Sequence, residues 1–144
     1  MRNLVKRIVI LAIALTAFFG MTAYAATAEA TAAFDKVNEI RVANGMSALT
    51  WDASLEQAAQ VRAAESSTVF SHTRPDGSAW YTVNENVMYG ENLAKLYNNA
   101  DDVVNGWMNS AAHKANILKA DYKTGAIAVY NVNGQLYWAE EFGY

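Results

Sequence analysis

The chain contains no cysteine, a single proline and eight glycines in 144 residues. Without thiols there are no disulfides, no thiolate-bound metal and no thiol nucleophile, so stability has to come from the core alone. So little proline and glycine, alongside 53% hydrophobic and 17% charged residues, excludes collagen-like, low-complexity and disordered classes. Long apolar runs are scarce as well. One uncharged stretch, Ile8 to Ala28, approaches the length of a bilayer crossing, which excludes a multi-pass membrane protein. What is present is a run of about 120 residues carrying four tryptophans, enough aromatic surface to close one core.

The first residues read as an export signal. Arg2, Lys6 and Arg7 form a positive segment, Ile8 to Gly20 an apolar one, and Ala23-Tyr24-Ala25 the small-x-small pattern that precedes cleavage. A second pattern, Ala28-Glu29-Ala30, lies five residues on. Residues 1–25 are read as a signal peptide in preference to an uncleaved anchor, because the apolar part proper is short. The domain that follows, residues 31–144, is then expected outside the cytoplasm, secreted or at the cell surface, with no stable membrane insertion after cleavage. Cleavage removes three of eleven basic residues and none of fourteen acidic ones, leaving a net charge of −6. An acidic domain with no Lys/Arg cluster argues against nucleic acid and against electrostatic docking on anionic lipid.

No repeat, linker or charge block divides residues 31–144. Phe34, Val37, Ile40 and Val42 fall near helical spacing before Asn44-Gly45 and predict a first helix. Asp52 is placed to cap a second, in which Leu55, Ala58, Ala59, Arg62 and Ala63 recur at three- and four-residue intervals to about Ser66. Ser71 to Ser78 is dense in turn formers and predicts an ordered surface loop. Ala100, Val103, Val104, Trp107 and Met108 predict a third helix capped by Asn99 or Asp101, and Ser110 is placed to cap a short one from Ala111 to Leu118. Segments 125–130 and 135–142 flank Asn133-Gly134, a hairpin signal with both turn residues at positive φ. Helices first and antiparallel strands last make the class α+β.

Four motifs in order carry a resemblance: Phe70-Ser71-His72-Thr73; Gly90-Glu91-Asn92-Leu93-Ala94; Trp107-Met108-Asn109-Ser110 running into His113-Lys114-Ala115-Asn116-Ile117-Leu118; and Tyr137-Trp138-Ala139-Glu140-Glu141-Phe142-Gly143. Together they resemble the CAP superfamily of cysteine-rich secretory proteins, venom antigens and pathogenesis-related proteins, and in particular its bacterial SCP-like extracellular branch. The match covers residues 34 to 143. It implies an α-β-α sandwich, a small antiparallel sheet flanked by helices. It also implies a central cleft in which His72, Glu91 and His113 converge, with Ser110 standing where many eukaryotic relatives have a second glutamate.

His72 and His113 are the two histidines of the chain. Two neutral imidazoles and one carboxylate with an open position form an acceptable shell for zinc or another divalent cation. The alternative is that these side chains only brace loops, Glu91 through backbone donors and His113 through Ser110 or a carbonyl. Trp51, Trp107 and Trp138 read as core. Trp80, beside Tyr81, reads as a groove wall for sugar rings or an apolar ligand, or else as a loop anchor, with Tyr89 and Tyr97 as the facing wall. Nucleophilic chemistry has little support: there is no Gly-x-Ser-x-Gly elbow or His-Glu-x-x-His helix, and Ser71 next to His72 is no dyad. The sequence therefore reads as a secreted binding module. Its cleft of His72, Glu91, His113, Ser110 and Trp80 is expected to take a small ligand, a lipid or a cell-wall component. An extracellular hydrolase using the same cleft is the alternative.

Overall fold

The computed structural model describes residues 27–144, so the expected signal peptide, residues 1–25, lies outside the described residues. Helix α1 (Ala28–Ala43) begins ahead of the expected boundary at 31, capped by the Thr27 hydroxyl, which accepts from Ala30 N–H. Phe34 and Val37 are buried on it, but Val42 is 60% exposed and Arg41 takes the inner position. The stripe runs 34, 37, 41, and the arginine is tolerated because its guanidinium donates to the carbonyls of Ser47, Ile117, Lys119 and Tyr122.

Strand β1 (Thr50–Trp51) leads into α2 (Ala53–Thr68), where the Asp52 carboxylate accepts from Ser54 and Leu55 N–H as an N-cap, worth about 1 kcal/mol. The buried stripe of α2 is Leu55, Ala58, Ala59, Arg62, Ala63 and Ser66, the expected set and one residue more. Strand β2 (Gly90–Lys95) was not foreseen as a strand. Helix α3 (Ala100–Met108) is capped by Asn99, which accepts from Asp102 N–H, and α4 (Ala111–Ile117) follows. Strands β3 (Thr124–Val132) and β4 (Gln135–Gly143) form the hairpin, with Asn133 at φ 53 and Gly134 at φ 89. Its base is buried and its tip exposed.

The strand order is β1-β3-β4-β2. β2, β4 and β3 are antiparallel, and β1 adds two residues parallel to β3, so the small sheet is mixed where an antiparallel one was expected. Helix α2 covers one face, its alanines seated on Leu93, Ala128 and Ala139, small residues on both sides permitting close approach. Helices α1 and α3 cover the other, around Phe34, Val37, Val103, Trp107, Trp138 and Phe142. This is the α-β-α sandwich. Trp107 and Trp138 are buried core residues that donate to the carbonyls of Leu93 and Tyr97; Trp51 is half-buried, edge-on to Phe34 at 4.9 Å.

Strand β2 is an edge strand, and an unpaired edge invites association. Here its outward carbonyls at Glu91 and Leu93 accept from Asn116 and Trp107 side chains, so α3 and α4 close it. That closure places α4 beside Glu91.

Candidate functional site

Alternation along β2 sends Glu91 and Leu93 to the α2 face and Asn92 and Ala94 to the opposite face. A side chain at Gly90 would overlap the Tyr122 ring, whose hydroxyl holds the Tyr89 carbonyl at 2.7 Å; the strand starts in register because position 90 is glycine.

On the α2 face, Arg62 reaches across to Glu91, Nε to Oε2 at 2.6 Å and Nη2 to Oε1 at 3.2 Å. Both side chains are essentially inaccessible. His72 Nδ1 lies 2.7 Å from Glu91 Oε1. The carboxylate can only accept, so Nδ1 carries the hydrogen; in the neutral ring Nε2 is then the acceptor, on a side chain that is 57% exposed. Burial opposes ionisation of Glu91, but the bonds from His72 and Arg62 outweigh it and hold the carboxyl below its usual range.

The loop bearing His72 is itself clamped. Arg62 Nη2 donates to Ser71 O at 2.7 Å, and Arg74 is bidentate on Glu65, which also takes Arg62 Nη1. Thr73 bridges to Ala79, and Gly77 closes the turn at φ 87. The expected ordered loop is ordered by arginine pairs as much as by turn residues.

On the opposite face a second polar cluster stands back to back with the first. Asn92 donates to Glu140 Oε2 at 2.9 Å and to the His113 carbonyl, and Asn116 donates to Asn92 Oδ1 and to the Glu91 carbonyl. The His113 imidazole has no hydrogen-bond partner among the described residues; burial, then the proximity of His72, pushes its pKa down.

The five expected cleft residues are split between two depressions that share β2 and α4. One, of about 280 Å³, is lined by His72, Trp80, Tyr89, Gly90, Glu91 and Asn116. The other, of about 270 Å³, includes Phe70, Tyr97, Trp107, Ser110 and His113. Trp80, edge-on to Tyr81 at 5.6 Å, and Tyr89 line the same depression as Glu91, and Tyr97 lines the second. Ser110 occupies the N-cap position of α4, yet its hydroxyl makes no cap bond.

The three donors His72, Glu91 and His113 do not fit a divalent cation. Both Glu91 oxygens accept from the Arg62 guanidinium, and among the described residues no three His, Asp or Glu side chains come together to share an ion. An arginine sits where the expected metal shell needs a free lone pair. Among the described residues neither imidazole bonds a hydroxyl, and Ser71 Oγ accepts from Thr73 N–H.

Sequence reasoning passed over Arg62, Glu65, Arg74, Asn116 and the pair Glu140 and Glu141. The signal for Arg62 was present, an arginine within an apolar stripe at i, i+3 and i+4. For the two glutamates it was a pair of acids inside an otherwise apolar strand, which alternation sends to opposite faces of the sheet.

The CAP family model, described as the cysteine-rich secretory protein family, matches residues 34–142. No curated protein matches the chain. Among solved structures, an extracellular SCP-domain protein of Bacillus anthracis str. Ames has a TM-score of 0.71 at 22% identity, covering 80% of this chain and 40% of that one. An outer surface protein of Borrelia burgdorferi has a TM-score of 0.64 at 22% identity, covering 76% and 87%. A cysteine-rich secretory protein of Staphylococcus aureus has 0.62 at 18%, covering 81% and 39%. The chain thus spans less than half of the Bacillus and Staphylococcus proteins, and at these identities the likeness is one of fold. The described sandwich and a family match that runs from α1 to the end of β4 place the chain in the CAP family.

Proposed function

We propose that the chain works outside the cytoplasm as a CAP-type binding module that holds a small polar ligand over the His72–Glu91 pair, between Trp80, Tyr89 and Asn116. The supporting observation is the fixed state of Glu91. Pinned by Arg62 and His72, it is preorganised for recognition and unavailable as a nucleophile or a metal ligand, while His72, whose Nε2 is not used in that bond, lines the open depression. No described helix is long and apolar enough to cross a membrane, and the neighbours include an extracellular and an outer surface protein, which supports the location. Cleavage after Ala25 keeps the Thr27 cap and the bond from Ala100 N–H to Glu29, whereas cleavage after Ala30 discards both.

The test is to purify the protein from culture medium, sequence its N-terminus, and compare native with denatured mass. The expected results are a start at Ala26 and a retained small-molecule mass that is lost in His72→Ala and Trp80→Ala but kept in Val61→Ala. Retention unaffected by the first two variants refutes the site. Release of a chemically altered product, abolished by His113→Ala, would establish the hydrolase reading instead.

A further inference from the structure

Glu141 pairs directly with Glu91 across the β4–β2 register, and alternation points both side chains at α2. The two carboxyls are buried, at 0% and 5% exposure, and share the face with one guanidinium, that of Arg62. Arg62 spends its donors on Glu91, Glu65 and the Ser71 carbonyl. No N–H or hydroxyl donor reaches either oxygen of Glu141. An ionised Glu141 would be a buried anion beside a second anion with no donor of its own. A neutral acid needs only an acceptor, and the Glu91 carboxylate is adjacent.

We propose that Glu141 is a positioning residue of the His72–Glu91 site: held as a neutral carboxylic acid, it lends its single proton to Glu91 and, with Arg62 and His72, completes the donors around that carboxylate. The proton stays on the pair and no bond breaks. Loaded by three donors, Glu91 holds His72 in the tautomer that presents Nε2 to the depression. Burial, then repulsion from Glu91, pushes Glu141 well above the usual carboxylate range, in agreement with this assignment. The groups facing the pair are Arg62 and, beyond it, Glu65 from α2, His72 from the loop, and Glu140 of β4 acting through the sheet. The role of Glu141 for a ligand rests on the binding reading above, but the protonation and positioning it requires are read on the free protein, so the two stand or fall separately.

The experiment is carboxyl-carbon NMR of the full domain from pH 3 to pH 9, with the Glu141 and Glu91 signals assigned by variants whose fold is checked by amide spectra. In the parent, the Glu141 signal is expected to show no ionisation up to pH 7; a midpoint in the ordinary glutamate range overturns the proposal without any variant. Glu141→Gln, whose amide can donate to the same oxygen, is expected to leave the Glu91 midpoint in place, and Glu141→Leu to raise it by about one unit as a donor is lost. If Glu141 is instead an anion, removing its charge lowers the Glu91 midpoint in both variants, the opposite sign. The ring-nitrogen shifts of His72 supply the positioning readout: the Nδ1–H tautomer should persist in Glu141→Gln and become mixed in Glu141→Leu. A tautomer unchanged in both variants refutes the positioning role.

Discussion

Glu140 provides the sharpest test of the energetics. Its carboxyl is 1% exposed, one oxygen accepts from Asn92, the other meets no donor, and the nearest opposing charge is Arg41, whose own donors serve backbone carbonyls. Burial pushes it up to about 8 from an ordinary 4.5, with Asn92 and Arg41 opposing the shift. Between those values the folded chain keeps a proton that the unfolded chain has released. The contribution to stability is therefore complete below about pH 4.5 and is lost as pH rises toward 8. At about 1.4 kcal/mol per unit, the loss at pH 7 is about 3 kcal/mol. In Glu140→Gln the amide oxygen can still accept from Asn92 and nothing titrates, so the variant should gain on the parent by about 3 kcal/mol between pH 4.5 and pH 7. Any fixed cost of the unpaired amide is the same at every pH and drops out of the slope. Urea unfolding followed by tryptophan fluorescence at half-unit steps measures it. Parallel stability curves for parent and variant would show that Glu140 is ionised in the fold, and the reasoning would fail.

Arg62→Met strips the buried counter-ion from Glu91 and the clamp from Ser71, and should cost about 3–5 kcal/mol in urea unfolding at pH 7, the range for breaking one side of a buried ion pair. Gly134→Val puts a β-branched residue at φ 89 with nothing nearby to pack on, so it should lose about 1–2 kcal/mol from backbone strain alone, with Gly134→Asn losing less; equal melting of both variants and parent counts against the turn geometry. Calorimetric titration of zinc into tag-free protein should give no specific heat at pH 7.5 or at pH 5.5, since Arg62 and His72 occupy Glu91; a stoichiometric heat lost in His72→Ala would restore the metal shell.

Local patterns were legible along the chain. Asp52 as a cap, the alanine stripe of α2 and the Asn133-Gly134 turn are each set by groups within a few residues, so spacing alone identified them, while for α3 it left Asn99 or Asp101 and the structure has Asn99. The motifs around His72, Glu91 and His113 were legible in the same way, as residue types in order. Tertiary structure decided what those residues are to each other. Whether Glu91 is a metal ligand depends on Arg62, 29 positions away, whose guanidinium is the counter-charge that burial demands. Whether Glu141 is charged depends on a cross-strand partner 50 positions away, because register fixes which carboxyl it meets and the absence of other donors fixes its proton. Short-range geometry is written in the order of residues, but the ionisation state of a buried group is a property of everything folded around it. For this protein the sequence determined the helices, the β3–β4 hairpin and the family; the packing of α2 against β2 and β4 decided the chemistry of the site.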